Sequence, residues 1–97
     1  MLNQTALVGK INNNEEEGYI TIAVPRYFKN EEGIYETDYI KCKINGKIEK
    51  NTKEWTNKGD AIGIKGRLQT ENGTLYVIAE KVTFLRSGKK IKWIKGN

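Results

Sequence analysis

The stretch from residue 35 to residue 44 places the strongest constraint on the fold, because its side chains alternate in character with a period of two. Ile40, Cys42 and Ile44 share one face of such a strand, since successive side chains point to opposite faces. The other face has aromatic, hydroxyl and basic side chains, namely Tyr35, Thr37, Tyr39, Lys41 and Lys43. The pattern predicts a half-buried antiparallel strand whose first face lies in the core.

The outward face of this strand suggests a class of ligand. Flat rings can stack on unpaired nucleobases, and lysines beside them can neutralise the adjoining phosphates. A solvated strand face that happens to contain lysines is the commoner arrangement for any single strand. Taken alone, the strand favours that alternative, so nucleic-acid binding has to be argued from the rest of the chain.

Four further strands are predicted around it. Apolar alternation bounded by turn-forming residues indicates strands at residues 2–11, 19–27, 60–70 and 74–85. On the second of the five strands, Ile20, Ile22 and Val24 are expected to face inward. Asn72-Gly73 separates the last two strands and is a strong signal for a two-residue hairpin turn.

Glycines and a proline mark irregular points in these strands. Gly9 indicates a bend or bulge in the first strand, and Pro25 belongs to an edge or a bulge because it lacks an N–H. It is open whether Tyr27 or Phe28 points outward after Pro25. Gly63 and Gly66 are expected to let the fourth strand curve sharply. On that strand, Ile62, Ile64 and Leu68 are expected inward in part, and Lys65 and Arg67 outward.

One helix is predicted, over residues 45–58. Ile48, Thr52 and Trp55 recur at helical spacing and form a narrow apolar stripe. Trp55 is therefore expected to anchor the helix in the core, and Gly59 is expected to end it.

This order of elements predicts an all-β fold. Five short curved strands with one short helix between strands 3 and 4 match the OB-fold, a Greek-key barrel whose strand 2–3 face binds oligonucleotides. We expect one domain over residues 1–86, followed by a short basic tail over residues 87–97.

Composition argues against an enzyme. The chain has no histidine, the commonest general base and metal ligand, and its single cysteine, Cys42, falls on the core face. Ser87, the single serine, lies next to Gly88 and a lysine pair and has no general base to activate it, and the glutamates at residues 15–17 and 31–32 are expected to be solvated loop charges. We predict no cofactor, no metal and no small-molecule substrate. Without a membrane-spanning run or a leader, we expect a soluble, cytoplasmic protein with no membrane partner.

The net charge of +5 is concentrated at one end of the chain. Residues 1–85 contain 12 basic and 12 acidic side chains, which cancel. The excess comes from Arg86, Lys89, Lys90, Lys92 and Lys95. Such a basic arm commonly binds nucleic acid or another anionic surface, although it also serves simply for solubility. Trp93 is expected to stack on a base or to seal a subunit interface; the alternation around it equally permits an extra strand on the barrel.

Several segments, weak singly but specific in their order and spacing, together resemble the bacterial single-stranded-DNA-binding protein family over residues 1–85. They are MLN (1–3), LVGK (7–10), IAV (22–24), FKN (28–30), ETDYI (36–40), NKGD (57–60) and GRLQT (66–70). The resemblance implies an OB-fold that oligomerises through its first strand, as a homotetramer or a homodimer. It also implies binding of unpaired DNA without sequence preference, which would protect it in replication, recombination or repair.

The resemblance implies site residues as well. Phe28 and Tyr39 fall where the family places base-stacking aromatics, which favours Phe28 over Tyr27 for that role. The positions that correspond to the family's phosphate contacts are Lys10, Lys41, Lys47 and Lys58. To these we add further candidate DNA contacts: Arg26, Lys43, Arg67 and Trp93.

The chain departs from the family at three places. Asn45 stands where the family often has a third stacking ring, and the loop that bears another ring is shortened to Asn72-Gly73. The tail that ends in acidic residues and recruits partner proteins is replaced by the basic one. Because stacking contributes about 1–3 kcal/mol per base, markedly weaker binding is expected unless the basic tail and Trp93 compensate. A primosome-type OB-fold accessory protein, acting mainly as a protein adaptor, is the alternative, and an RNA ligand is a third possibility.

Overall fold

In a computed structural model that describes residues 2–85 and 92–95, one sheet of strands curls around a core of isoleucines. The elements are β1 (Thr5–Asn13), β2 (Tyr19–Lys29), β3 (Tyr35–Lys43), α1 (Gly46–Trp55), β4 (Ala61–Glu71), β5 (Thr74–Leu85) and β6 (Lys92–Lys95). The strand order is β3-β2-β1-β4-β5-β6, and a further pairing of β3 with β5 closes the first five strands into a barrel. The predicted OB-fold, with its helix between β3 and β4, is confirmed.

The core forms from the faces that alternation predicted. Cys42 and Ile44 are buried at the end of β3, whereas Tyr39 is exposed. On β2, Ile20 and Ile22 are buried, and Val24 packs against the core at its edge. The same core contains residues from the remaining strands and the helix, among them Ile11, Ile48, Ile62, Ile64, Val77 and Val82.

The predicted role of Trp55 is wrong, because the side chain is 54% exposed. The helix is also shorter than predicted and stops at Trp55, well before Gly59. Thr56 adopts an extended conformation and is buried, and its Oγ1 donates to the carbonyl of Thr52 at 2.5 Å. Thr52 and Thr56 therefore fill the space beneath the end of the helix, which leaves the indole of Trp55 at the surface.

Leu68 is likewise more exposed than predicted, at 44%. The side chain of Asn3 lies beside it and forms two hydrogen bonds with the Leu68 main chain: Nδ2 donates to the carbonyl at 2.8 Å, and Oδ1 accepts from the N–H at 2.9 Å. A polar side chain thus takes the place of a neighbouring strand's main chain at this end of β4, and the Leu68 side chain lies outside the core cluster.

The two glycines of β4 differ in their roles. The β4–β5 register shifts between Lys65 and Gly66, and a Cβ on Gly66 would lie 1.9 Å from the carbonyl oxygen of Ile78. At Gly63 the nearest atom to such a Cβ is 3.7 Å away, which is ordinary contact. The bulge therefore requires a glycine at residue 66, whereas the packing around residue 63 leaves room for a methyl group.

Of the other irregular points predicted from the sequence, two agree with the structure and one does not. The β2–β3 register shifts between Pro25 and Lys29, as expected for a proline at a bulge. Asn72 and Gly73 both have positive φ, 53° and 81°, as a two-residue hairpin turn requires. Gly9 is not a bulge: the β1–β2 shift lies between Ile11 and Asn13. Gly9 instead permits close packing, since a Cβ there would lie 2.4 Å from the Ala23 carbonyl oxygen.

Lys92–Lys95 forms an extra strand on the barrel, antiparallel to β5. This is one of the two alternatives that the sequence left open for the basic end of the chain. Residues 86–91 and 96–97 lie outside the described residues, so the division of the chain into a domain (1–86) and a tail (87–97) stays a prediction. Within residues 2–85 and 92–95, no helix has the length and apolar character that spanning a bilayer requires.

Candidate nucleic-acid interface

Tyr39 and Lys10 lie on the same outer face of the barrel, in one row across three strands. Tyr39 pairs with Ala23 on β2, and Ala23 pairs with Lys10 on β1. Directly opposed residues of antiparallel strands share a face, so the ring and the ammonium group flank a small side chain. Both are exposed, Tyr39 by 64% of its surface. Their strands are two spacings apart, or about 10 Å.

Farther along the same face, Lys41 is held between an aromatic ring and a carboxylate. Its Nζ lies 4.5 Å from the centroid of the Tyr19 ring and donates to Glu16 Oε2 at 2.7 Å. The hydrogen bond to Glu16 raises the pKa of Lys41. The Tyr19 ring in turn lies 5.7 Å from the Tyr76 ring. Lys41 faces outward as predicted, but it already has an anionic partner.

Lys43 and Arg67 are paired in the same way. Lys43 Nζ lies 2.9 Å from each carboxylate oxygen of Glu71, which raises the pKa of Lys43. Arg67 Nη1 donates to Glu80 Oε2 at 2.9 Å, and its Nη2 donates to Gln69 Oε1 at 3.1 Å. Gln69 closes the gap by donating to Glu71 at 3.0 Å. A continuous line of polar contacts therefore crosses the outer face from β3 to β5.

Arg26 lies apart from this surface. Its Nε and Nη2 donate to the two carboxylate oxygens of Asp38 at 3.1 and 2.9 Å, and its Nη1 is 3.4 Å from Glu36. The hydrogen bond from Arg26 lowers the pKa of Asp38. Asp38 precedes Tyr39 on β3, so the two side chains point to opposite faces of the strand. Arg26 therefore lies on the face opposite Tyr39, and its role as a DNA contact stays a prediction.

The tip of the β2–β3 hairpin has three exposed rings. Tyr27 is 91% exposed and Phe28 53%, with their centroids 5.4 Å apart in an edge-to-face arrangement. Both rings are exposed, so the structure does not single out Tyr27 or Phe28 as the outward residue. Tyr35 is 57% exposed, and Lys29 Nζ lies 5.6 Å from its centroid. Alternation placed Tyr35 outward, although it was not included among the candidate contacts.

The remaining candidates are more scattered. Lys47 lies in the first turn of α1 and Lys58 follows the helix; both are exposed, and neither forms an ion pair within the described residues. Trp93 lies in β6, where its backbone pairs with Thr83. Over the same ranges, no three His, Cys, Asp or Glu side chains are placed to hold a metal ion.

The sequence did not indicate the two glutamates that bind lysines on this surface, Glu16 and Glu71. Glu16 was expected to be a solvated loop charge, but its carboxylate binds Lys41 across the turn. Glu71 lies far from Lys43 in sequence, and only the closed barrel brings them together. The spacing of charges along the chain gives no signal for either pair.

The sequence is similar to proteins of a known family. The family model described as Single-strand binding protein family matches residues 2–85. A single-stranded DNA-binding protein of Lactiplantibacillus plantarum is 41% identical over 81 residues, which cover 74% of this chain and 40% of that protein. Single-stranded DNA-binding protein B of Bacillus subtilis is 36% identical over 81 residues, 74% of this chain and 72% of that protein.

Two crystal structures have the same fold. The small single-stranded DNA-binding protein of Streptomyces coelicolor superposes with a TM-score of 0.67 at 14% identity, covering 93% of this chain and 99% of that one. A deletion mutant of the Thermus aquaticus single-stranded DNA binding protein gives 0.66 at 20% identity, covering 94% of this chain and 54% of that one. The chain spans less than two thirds of several relatives, including 62% of single-stranded DNA-binding protein 1 of Streptococcus pyogenes.

Proposed function

Because the chain belongs to the single-strand binding protein family, we propose that it binds single-stranded DNA without sequence preference on the outer face of β2 and β3. The observation that supports this most directly is the cross-strand row in which an exposed Tyr39 and an exposed Lys10 flank Ala23. A base stacked on the ring would bring its phosphate within reach of the ammonium group. In the cell we assign this activity to the protection of unpaired DNA during replication, recombination or repair.

The stacking rings of this proposal lie along one ribbon. Tyr39 and Phe28 are the two platforms that the family pattern implies, and both are exposed. Tyr35 shares its face with Tyr39 and lies four residues before it on β3, about 13 Å away. We add Tyr35 as a third ring, which would partly replace the platforms absent at Asn45 and at the β4–β5 turn.

In this proposal, DNA phosphates replace carboxylates as the partners of two lysines. Lys41 and Lys43 are each bound to a carboxylate, so a DNA phosphate has to replace Glu16 or Glu71. Both are partly exposed surface pairs, and solvent screens such pairs so that they contribute little to stability. The exchange therefore costs little, but it makes these glutamates competitors of the DNA backbone.

Replacing Glu71 with glutamine is accordingly expected to tighten binding of oligo-dT, by up to about fivefold, because Lys43 no longer has an anionic partner to give up. Equilibrium titration by fluorescence anisotropy measures the change. Glu54→Gln is the matched control, since Glu54 is exposed on α1 and its replacement makes the same change in net charge. Equal effects of the two variants would contradict the exchange and leave only a change in net charge.

The proposed function itself is tested by titrating oligo-dT at several salt concentrations. The logarithm of the affinity is expected to fall linearly with the logarithm of salt, with a slope of about −0.7 for each phosphate neutralised on a single strand. A competing mixed-sequence oligomer should displace oligo-dT. A slope near zero, or no binding at low salt, would reject this function.

The proposed binding unit is a homotetramer or a homodimer. β1 pairs with β4 from Thr5 to Lys10, whereas its pairing with β2 starts only at Lys10. The outer edge of residues 5–9 thus has main-chain groups to which a second copy could add a strand. Sedimentation with and without oligo-dT determines the stoichiometry and binding together.

A second candidate function is that of a protein adaptor with weak DNA binding. It is favoured by two positions: Asn45, which is exposed where a ring would be expected, and the tight β4–β5 turn at Asn72 and Gly73. Affinity for oligo-dT in the micromolar range or weaker, together with tight capture of a helicase or polymerase subunit, would support the adaptor over the first proposal.

A further inference from the structure

Tyr27 and Phe28 lie in the irregular part of β2 that follows Pro25. Residues 26–28 lie there opposite a single residue of β3, Glu36. The regular ladder of a strand is disrupted at such a bulge, so it no longer fixes the direction of the side chains. Both rings are exposed and lie outside the core. Contacts other than the ladder are therefore needed to hold the two rings in place.

Glu36 is bound to the chain on both sides of the two rings. Its Oε2 lies 3.4 Å from Nη1 of Arg26, the residue directly before Tyr27. Its Oε1 accepts a hydrogen bond at 2.9 Å from Nδ2 of Asn30, which comes two residues after Phe28. One carboxylate of β3 therefore fixes both ends of the segment that bears the rings.

Further bonds fix each of these two ends. Arg26 donates through Nε and Nη2 to the two oxygens of Asp38, at 3.1 and 2.9 Å, which sets the plane of the guanidinium. Oδ1 of Asn30 accepts from the N–H of Glu32 at 2.9 Å and from that of Ile34 at 3.0 Å. The main-chain N–H of Asn30 also donates to the Ile34 carbonyl at 2.8 Å. The ring-bearing segment thus runs between a bidentate ion pair and a closed turn.

This network contributes orientation more than stability. The side chains of Arg26 and Glu36 are 39% and 46% exposed, and solvent screens ion pairs at such positions. A bidentate bond between a guanidinium and a carboxylate nevertheless adds geometric specificity. Glu36 and Asp38 lie on the face of β3 opposite Lys41, because successive side chains of a strand alternate. Neither carboxylate therefore shares a face with that lysine.

We propose that Glu36 is a positioning residue for DNA binding. By holding Arg26 and Asn30, it orients the Phe28 ring to stack on a base. Tyr27 supports that ring edge-on, at 5.4 Å between centroids. The inference rests on the proposed function and gives Arg26 a role that acts through the rings. Glu36 thus favours the binding of a polyanion although its own charge repels one.

Glu36→Ala tests this role, with Glu31→Ala as the matched control. Glu31 is exposed in the turn of the same hairpin, and its replacement makes the same change in net charge. Glu36→Ala is expected to weaken binding of oligo-dT by about three- to tenfold, which is part of the contribution of one stacked base. Glu31→Ala should bind as well as the wild type or slightly better, because it removes a charge that repels DNA. Fluorescence anisotropy at fixed salt measures both affinities.

Further measurements distinguish positioning from damage to the fold. An oligomer of the same length built on abasic sugars keeps the phosphates and lacks the bases, so Glu36→Ala should bind it at least as tightly as the wild type. Glu36→Gln has the same charge as Glu36→Ala but keeps an oxygen that accepts from Asn30, so it should recover part of the affinity for oligo-dT. In a Phe28→Ala background, Glu36→Ala should cause no further loss.

The outcomes separate the two proposals. If the wild-type protein fails to bind oligo-dT, the proposed function falls, and the role of Glu36 with it. If the wild type binds but Glu36→Ala and Glu31→Ala have equal affinities, the positioning role is rejected while the proposed function stands. Equal losses of affinity for oligo-dT and for the abasic oligomer also reject it, since Glu36 would then maintain the hairpin as a whole. A further loss in the Phe28→Ala background would reject the assignment to that ring.

Discussion

Replacing Tyr39 with alanine is expected to weaken oligo-dT binding by a factor of about 5 to 150, because stacking of one base on an aromatic ring contributes about 1–3 kcal/mol. The ring is 64% exposed, so its removal should leave the folded barrel intact. Fluorescence anisotropy at fixed salt measures the affinity, and thermal unfolding verifies that the variant is folded.

Two control variants make this result specific to stacking. Tyr39→Phe keeps the ring and should bind nearly as well as the wild type. Leu75→Ala removes another exposed apolar side chain, 60% exposed on β5, and should leave the affinity unchanged. Equal binding by Tyr39→Ala and the wild type would place the bases elsewhere on the molecule.

Replacing Gly66 with alanine is expected to lower the free energy of unfolding by about 3 kcal/mol, at the upper end of the usual cost of overpacking. The added Cβ would lie 1.9 Å from the carbonyl oxygen of Ile78, and backbone atoms of β5 would have to move. For a domain of this size, the Tm should fall by about 12–24 °C.

Gly63→Ala is the matched control on the same strand. Its added Cβ would meet its nearest neighbour, in the Thr83 side chain, at 3.7 Å. We expect a change of less than about 1 kcal/mol, since alanine also restricts the unfolded chain. Similar Tm values for the two variants would mean that the bulge at residue 66 adapts to a side chain.

Most of the fold could be predicted from local patterns. Alternation on β2 and β3 correctly assigned Ile20, Ile22 and Cys42 to the core, because the period of a strand alone decides which face a residue occupies. The β4–β5 turn was equally local, since Asn72-Gly73 suits the positive φ values of a two-residue hairpin. Order and number of such elements were sufficient to identify the barrel.

The errors occurred where neighbours distant in sequence decide the outcome. Helical spacing indicated that Trp55 was buried, but the helix ends there and Thr56 fills the space below. Gly9 was interpreted as a bend or bulge because spacing does not reveal that the Ala23 carbonyl of β2 packs against it. Leu68 lies at the end of β4, where Asn3, distant in sequence, binds its main chain, and its side chain is exposed.

In the candidate interface, the sequence predicted which side chains face outward but not which of them form ion pairs. Parity placed Tyr39 and Lys41 outward, and both are on the outer face. That Lys41 binds Glu16, and Lys43 binds Glu71, depends on how the turn and the closed barrel bring carboxylates close. The roles of all ten candidate contacts stay predictions, and the proposed competition by glutamates arose only from the structure.

The place where the barrel closes has one more consequence. Cys42, the single cysteine, is buried at the short parallel ladder between β3 and β5, opposite Val77. Burial raises the pKa of its thiol to about 12, so almost none of the reactive thiolate exists at neutral pH while the ladder is closed. The rate at which an alkylating reagent modifies the native protein therefore measures how often the core around Cys42 opens, with no engineered label.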